Sequence, residues 1–124
     1  IAFLDRASTT EYSSRALNAS ACVMEAADTD VWKDFHRQMF LQQPPEGGAG
    51  LPDSELIRIA DDAGAGNIET CVDDRTYDDW VEATTAASGD DGINSTPTVL
   101  VDGVILEDPS PATIQAAIDE ALAS

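Results

Sequence analysis

The first part of the chain shows a short apolar run and then a change of hydrophobic period. Ile1–Leu4 is apolar and Asp5 ends it, which is typical of a buried strand. Ser8, with Glu11 three positions later, has the form of a helix-capping box. The apolar positions that follow are spaced as on one face of a helix: Tyr12, Ala16, Ala19, Val23 and Ala26. The pattern therefore predicts a strand followed by a long helix over about residues 10–27.

A second helix with an aromatic stripe is predicted next. Asp28 or Thr29 can cap it, because both side chains can accept a backbone N–H at a helix start. The stripe consists of Val31, Trp32, Phe35, Met39 and Phe40. Residues 42–50 contain two prolines and three glycines, which no helix can cross, so this stretch predicts an ordered loop or a short lid.

The pattern predicts three further helical segments before residue 92. Pro52 is placed to start a helix, and Gly64 is placed to end it. A short helix carrying Cys71 follows. Another amphipathic helix begins near Thr76 and stops at the glycine and aspartate cluster 89–92.

The strongest local signal is a β-hairpin near the C-terminus. Thr98–Val101 and Val104–Leu106 have strand composition, and Asp102-Gly103 between them suits a two-residue turn with positive φ. Ser110 then predicts a helix N-cap, with Pro111 at the first helical position. The predicted order is strand, several helices, hairpin and terminal helix, in one domain.

Composition and charge exclude several classes of function. The chain has 124 residues, with 6 Lys and Arg against 24 Asp and Glu, a formal net charge of −18. Nucleic acids and anionic membrane surfaces are bound mainly through Lys and Arg, so neither is an expected partner. No apolar run approaches the roughly 18 residues that span a bilayer. The sequence begins at Ile1 without a signal-peptide pattern, so we expect that something upstream is missing.

The two cysteines leave two alternatives open. Cys22 and Cys71 are 71 − 22 = 49 positions apart, which is neither a C-x-x-C redox pair nor a zinc-ligand spacing. They form one disulfide if the protein is exported, or two buried free thiols if it is cytosolic.

Few other residues suggest chemistry. His36 is the only histidine and lies in the middle of a predicted helix, so no metal site is predicted. Paired aspartates lack the spacing of a calcium loop, and no nucleotide-binding or serine-hydrolase motif occurs. Thr96-Pro97, directly ahead of the hairpin, remains. It is either a cis-proline that turns a strand edge outward for an extended peptide, or an ordinary trans proline entering an edge strand.

The segment from Gly92 to Gly103 resembles the "GxxGTPTxxVNG" segment of DsbA-like thioredoxin-fold proteins. The middle of the chain is similar to actinobacterial members of that family, and the resemblance spans essentially all 124 residues. The matching motifs are Phe35-His36, Phe40-Leu41-Gln42-Gln43-Pro44, Leu56-Ile57, Ala63-Gly64 and Tyr77-Asp78-Asp79-Trp80.

The resemblance implies an α/β, thioredoxin-like fold as a single partial domain over 1–124, with a helical insertion at about 10–88. Thr96 and Pro97 would be the cis-proline site that holds the substrate, and Cys22 and Cys71 would form a structural disulfide. The parent protein would be extracytoplasmic, membrane-anchored and active on unfolded or cysteine-containing proteins, with a redox partner protein and no cofactor.

Two departures from the family pattern change what we expect of this chain. The first, central strand and the C-x-x-C helix of the family are missing, so the chain has no catalytic cysteine pair and is predicted to be inactive alone. Ser95 replaces the glycine usual before Thr-Pro. Without the central strand, Ile1–Leu4 and Thr98–Val101 would expose unpaired edges, so we expect these strands to pair with each other or with another chain.

Three functional hypotheses follow. The chain is part of an extracytoplasmic thiol-disulfide oxidoreductase, carrying its cis-proline segment and helical insertion. The alternative is a redox-inactive thioredoxin-like protein-binding module. An acidic helical protein unrelated to that family is a third alternative, which a trans Thr96-Pro97 bond and unbridged cysteines would favour.

Overall fold

The computed structural model describes all residues from Ile1 to Ser124. It contains six α-helices and one β-hairpin, preceded by a short 3-10 helix at Phe3–Ala7. The elements are α1 (Tyr12–Ala26), α2 (Thr29–Leu41), α3 (Asp53–Ala63), α4 (Glu69–Asp73), α5 (Asp78–Asp90), β1 (Leu100–Val101), β2 (Val104–Ile105) and α6 (Pro111–Ala123).

The prediction of a strand at Ile1–Leu4 is wrong. The segment turns into the 3-10 helix, which packs against α1. Asp5, within this 3-10 helix, ties it to α1. Its carboxylate accepts the backbone N–H of Ser14 at 3.1 Å and also contacts the Ser14 hydroxyl. A four-residue apolar run carries no period that could reveal such a contact.

The start of α1 also differs from the predicted capping box. The helix begins at Tyr12, and Glu11 at the N-cap position has a left-handed backbone, with φ 54°, and makes no capping hydrogen bond. The Ser8 hydroxyl oxygen instead accepts the N–H groups of Thr10 and Tyr12. The helix start is therefore capped from four residues away.

The other predicted helix boundaries are confirmed to within a few residues. Asp28 caps α2, its carboxylate accepting the N–H groups of Asp30 and Val31. Gly64, at φ 99°, ends α3 in the left-handed conformation that glycine adopts without strain. Cys71 lies in α4, as predicted.

The core lies entirely within the helical part of the molecule. Its apolar residues come from α1 to α4 and the segment before α4: Ala19, Cys22, Val23, Phe35, Leu56, Ile59, Ala60, Ile68 and Val72. Two polar residues, Arg15 and Asn18, are buried beside it. The predicted face of α1 is thus correct at Ala19 and Val23 but not at Ala26, which is exposed, and Phe35 is the one aromatic residue of the α2 stripe that is fully buried.

The hairpin and α6 form a separate C-terminal unit. Leu100 pairs with Ile105 and Val101 with Val104, and the turn residues Asp102 and Gly103 have φ 48° and 79°. The predicted hairpin and its turn are confirmed, with strands shorter than predicted. α6 packs against β1 and is capped by the Ser110 side chain as predicted. No residue after Val81 is buried, so this unit presents apolar side chains to solvent.

The predicted pairing of Ile1–Leu4 with Thr98–Val101 is also wrong, whereas the predicted alternative, pairing of Thr98–Val101 with another chain, stays a prediction. The only sheet is the hairpin, and Ile1–Leu4 forms no strand that could pair with Thr98–Val101. The chain start is held instead by α5, because the Ala2 N–H donates to the Thr85 hydroxyl at 3.0 Å.

Candidate functional site

The segment in front of β1 is the candidate substrate-binding site. The Thr96–Pro97 peptide bond is cis, and Ser95, Thr96 and Pro97 are all exposed. The Thr98 hydroxyl donates to the Ser95 carbonyl at 2.6 Å, which closes the turn over the proline. The segment is therefore an exposed turn leading directly into a strand.

One edge of β1 is available to an additional strand. The partner of β1 on its other side is β2, and this pairing is extended by the Leu106 N–H, which donates to the Val99 carbonyl at 2.9 Å. No third strand is present. An extended peptide can add to such an edge through backbone hydrogen bonds.

Cys22 and Cys71 form a disulfide between α1 and α4. The S–S distance is 2.04 Å and the Cα atoms are 5.9 Å apart. Cys22 is 1% exposed within the core, and Cys71 is half-buried against it. Of the two alternatives that the spacing left open, the structure shows the disulfide.

The structure does not support the prediction that redox cysteines are missing. Both cysteines of the chain are joined in a disulfide, which is the type of bond that thiol exchange breaks and forms. The structure places this disulfide among core helices, whereas Thr96 and Pro97 precede β1, whose contacts are β2 and α6. It therefore does not bring the two predicted groups together in one site.

A charged cleft of about 490 Å³ lies between the chain start, α1 and α5. Its acidic residues are Asp5, Glu11, Asp78 and Glu82, and its base is Arg75. Arg75 donates to the Asp78 carboxylate at 2.7 Å, and this hydrogen bond raises the pKa of the guanidinium, with further contributions from the charges of Asp78 and Glu11. The positive charge of Arg75 is thus balanced by the carboxylates beside it.

Other candidate groups have ordinary structural surroundings. His36 is exposed on α2, where it stacks on Trp32 with ring centroids 5.1 Å apart and contacts Phe40 edge-to-face at 5.0 Å. No group of three or more His, Cys, Asp or Glu side chains is arranged to hold a metal ion. None of the helices has both the length and the apolar character needed to cross a membrane.

Sequence reasoning missed two buried polar residues of α1 that organise the helical part of the fold. Arg15 joins α1 to the loop before α3, and the Asn18 side-chain oxygen accepts the Tyr77 N–H at 2.8 Å, which joins α1 to the start of α5. Both residues are spaced so that they continue the apolar face of α1. A polar residue in the middle of such a face was the available signal.

Comparison with known proteins covers the whole chain. A family model described as thioredoxin matches residues 3–120. The solved structure of a reduced disulfide bond oxidoreductase, DsbG, from Mycobacterium tuberculosis is 35% identical, with a TM-score of 0.82. Reduced DsbA from the same organism is also 35% identical, with a TM-score of 0.80.

The comparisons also show how much of those proteins corresponds to this chain. The matches cover 100% of this chain, but 60% of the DsbG chain and 63% of the DsbA chain. No protein of curated function matches. The chain thus spans about three fifths of the length of the solved structures that it resembles.

Proposed function

Because this chain belongs to the DsbA-like group of thioredoxin-fold proteins, we propose that it is part of a thiol-disulfide oxidoreductase that acts on exported proteins. In this proposal Thr96 and Pro97 contact an extended, cysteine-containing substrate peptide. The observation that supports it best is the exposed turn at Ser95–Pro97, whose backbone an extended peptide can reach. Main-chain hydrogen bonds bind extended peptides with little dependence on sequence, as a general oxidoreductase requires.

We assign Cys22 and Cys71 a structural role. Cys22 is enclosed by the core, so a substrate thiolate cannot approach its sulfur while the helices are packed. The bond closes a loop that contains α2 and α3, and it thereby holds the helical insertion at about 10–88 together.

The proposed compartment follows from the same bond. Disulfides persist in oxidising compartments and are rare in the cytosol. We therefore propose an extracytoplasmic protein, and on the family resemblance alone we extend this to a membrane-anchored parent and a separate redox partner protein. Fractionation of cells into cytosolic, extracytoplasmic and membrane parts tests the compartment and the membrane anchor.

Peptide binding at the Thr96–Pro97 turn is tested by NMR titration with an uncharged extended peptide containing one cysteine blocked by alkylation. We expect the amide signals of residues 95–101 to shift and those of α2 to remain in place. Thr96→Asp should weaken binding at least about fivefold, because it places a charge at the contact. The matched control is Thr70→Asp, which adds the same charge at an exposed position on α4. Equal weakening by both variants, or shifts confined to α2, would contradict the proposal.

The structural role of the disulfide needs a separate test. The chain and its Cys22→Ser/Cys71→Ser variant are compared in an insulin-reduction assay, with circular dichroism as the control for folding. We expect no turnover that depends on these cysteines. If the unsubstituted chain shows turnover and the folded double variant does not, Cys22 and Cys71 exchange with substrate instead.

The alternative of a redox-inactive binding module predicts the same peptide binding. The two hypotheses differ in what they predict for the longer parent protein. If it is a binding module, it binds the blocked peptide but forms no mixed disulfide with a peptide that carries a free cysteine. Trapping of such a mixed disulfide on a non-reducing gel supports the oxidoreductase.

A further inference from the structure

The outer face of α2 combines exposed apolar side chains with an ordered row of charges. Phe40 is 65% exposed and Leu41 68% exposed at its C-terminal end. On one side of the same helix the half-buried Trp32 stacks on His36, and Phe40 meets His36 edge-to-face. Single exposed apolar residues are common on protein surfaces, but a continuous aromatic and aliphatic strip along one helix is typical of an interface.

The charges on this face balance, unlike those of the whole molecule. Within α2, Asp30 and Asp34 are matched by Lys33 and Arg37, two of only six Lys and Arg residues in the chain. The net charge of α2 is therefore zero, while the chain carries −18. Two copies of this acidic molecule repel each other over most of their surfaces, but their α2 faces can approach with little repulsion.

The order of the charges points to a specific occupant. We propose that the outer face of α2 binds α2 of a second copy of this chain, antiparallel, about a two-fold axis between Lys33 and Asp34. In that arrangement Asp30 lies opposite Arg37 of the second copy, and Lys33 lies opposite Asp34 of the second copy. The same two contacts recur with the copies exchanged, as a symmetric interface requires. The charged residues of α2 are thus complementary to those of a second α2 that runs antiparallel to it.

The existing ion pairs on α2 do not prevent this arrangement. Lys33 is 3.2 Å from Asp30, and Arg37 contacts Asp34, both within the helix. All four side chains are well exposed, so these pairs contribute little and can exchange for pairs between copies.

The apolar end of α2 also finds an apolar counterpart. Phe40 and Leu41 lie about 10 Å along the helix from the proposed axis, at 1.5 Å per residue. In the other direction α2 begins at Thr29, about 7 Å from the axis, and it is preceded by Ala27 and by Ala26, the last residue of α1, near which Met24 is exposed. Each copy would place its Phe40 and Leu41 against this alanine and methionine surface of the other.

The proposal is independent of the function proposed above, because α2 lies apart from the Thr96–Pro97 turn in the sequence and makes its contacts with α1 and α3. It also replaces the predicted self-association through unpaired strand edges. One of those two edges was the strand predicted at Ile1–Leu4, which is absent.

The test is sedimentation velocity on the full chain over about 10 μM to 1 mM, the range of weak protein association. We expect a monomer–dimer equilibrium. Phe40→Asp should raise the dimer dissociation constant at least about tenfold, because it places a charge at a contact that occurs twice. Leu122→Asp is the matched control, since Leu122 is also a large, exposed apolar residue but lies on α6. It should leave the monomer–dimer equilibrium unchanged.

A charge-exchange experiment tests the proposed register. The acidic variant Lys33→Glu/Arg37→Glu and the basic variant Asp30→Lys/Asp34→Lys should each be monomeric alone, because like charges then face each other. Mixed in equal amounts, they should associate, since each supplies the charges that the other lacks. Circular dichroism confirms that every variant retains its helices.

Three results would overturn the proposal. The first is a parent chain that stays monomeric throughout the concentration range. The second is dissociation by Leu122→Asp but not by Phe40→Asp, which would assign the contact to the C-terminal unit. The third is an acidic and basic mixture that remains monomeric while the parent chain dimerises, which would exclude this register.

Discussion

Arg15 is the most highly connected side chain of the molecule, and it is buried. All five of its N–H groups are used: they donate to the carbonyl oxygens of Thr10, Ala49 and Leu51, the Thr10 hydroxyl and the Asp53 carboxylate. A planar guanidinium can satisfy acceptors in several directions at once, whereas a lysine ammonium cannot reach them all. This one side chain therefore attaches the loop before α3 to α1.

We predict that Arg15→Ala lowers the free energy of unfolding by about 2–4 kcal/mol, because it removes the five hydrogen bonds of a buried guanidinium, one of them to the Asp53 carboxylate. Arg15→Lys should lose most of the same stability. Urea unfolding followed by circular dichroism measures both changes. Arg37→Ala is the control, since Arg37 forms only an exposed pair with Asp34, and it should cost no more than about 0.5 kcal/mol. Similar losses for Arg15→Ala and Arg37→Ala would contradict this account.

Tyr12 gives the stability a dependence on alkaline pH. Burial raises the pKa of its phenol above the ordinary value of 10.0, and the charge of Arg15 opposes this only in part. The folded state therefore holds the phenolic proton more tightly than the unfolded chain does. Its contribution to stability is fully present below about pH 10, the unfolded pKa, and is lost as the pH rises through the higher folded value.

We accordingly predict that the urea midpoint of the parent chain falls between pH 9 and pH 11 more steeply than that of Tyr12→Phe, which has no phenol to ionise. Titration of tyrosine absorbance in the two proteins assigns the ionisation to Tyr12. Identical pH profiles for the two proteins would show that the Tyr12 phenol is not coupled to folding.

At the scale of elements, the disulfide adds a covalent link between α1 and the short helix α4, which also pack together in the core. α4 has only five residues, so it is too short to be stable in isolation. The Cys22–Cys71 bond anchors it to α1 and closes a loop spanning 49 positions. In the chain-entropy account, a loop of that length stabilises the fold by about 4 kcal/mol.

We therefore predict that Cys22→Ala/Cys71→Ala lowers the free energy of unfolding by about 4 kcal/mol. Urea unfolding of the variant and of the parent chain, each with and without dithiothreitol, provides the measurement. The reductant should destabilise the parent chain and leave the variant unchanged. A variant as stable as the parent would show that packing alone holds α4 in place.

The elements that the sequence predicts correctly are those whose signals are local. Asp28 caps α2 through its own neighbours, and Asp102-Gly103 forms the hairpin turn by its own backbone preferences. The start of the chain could not be predicted in this way. Its conformation depends on contacts from Asp5 to Ser14 and from Ala2 to Thr85, 9 and 83 positions away. A local pattern contains no information about such partners.

The candidate site was predictable to different degrees for the same reason. The Thr96-Pro97 turn and the hairpin after it are adjacent in sequence, so the pattern located them together. The partner of Cys22 is 49 positions distant, and the spacing alone left free thiols as an alternative. Arg15 was overlooked because three of its five acceptors, in Ala49, Leu51 and Asp53, lie 34 to 38 residues further along the chain.

At the scale of the whole molecule, the excess of carboxylates opposes folding. Ion pairs occupy five of the six basic residues, and most of the 24 acidic residues have no basic partner. Asp73 and Asp74 at the end of α4, and Asp90 and Asp91 at the end of α5, also meet the negative ends of helix dipoles. A compact state concentrates this charge, so self-repulsion lowers its stability.

We predict that NaCl raises the thermal midpoint. The screening length falls from about 30 Å at 0.01 M salt to about 3 Å at 1 M. Screening also weakens the exposed ion pairs, each worth about 0–1 kcal/mol, but unpaired carboxylates greatly outnumber them.

A variant with four fewer negative charges tests the same account. Asp73→Asn/Asp74→Asn/Asp90→Asn/Asp91→Asn, with net charge −18 + 4 = −14, should have a higher thermal midpoint at low salt and a smaller salt response. Calorimetry at concentrations low enough to keep the chain monomeric measures both midpoints. A midpoint that falls as salt is added would mean that the ion pairs outweigh the repulsion, and that the acidic surface does not limit stability.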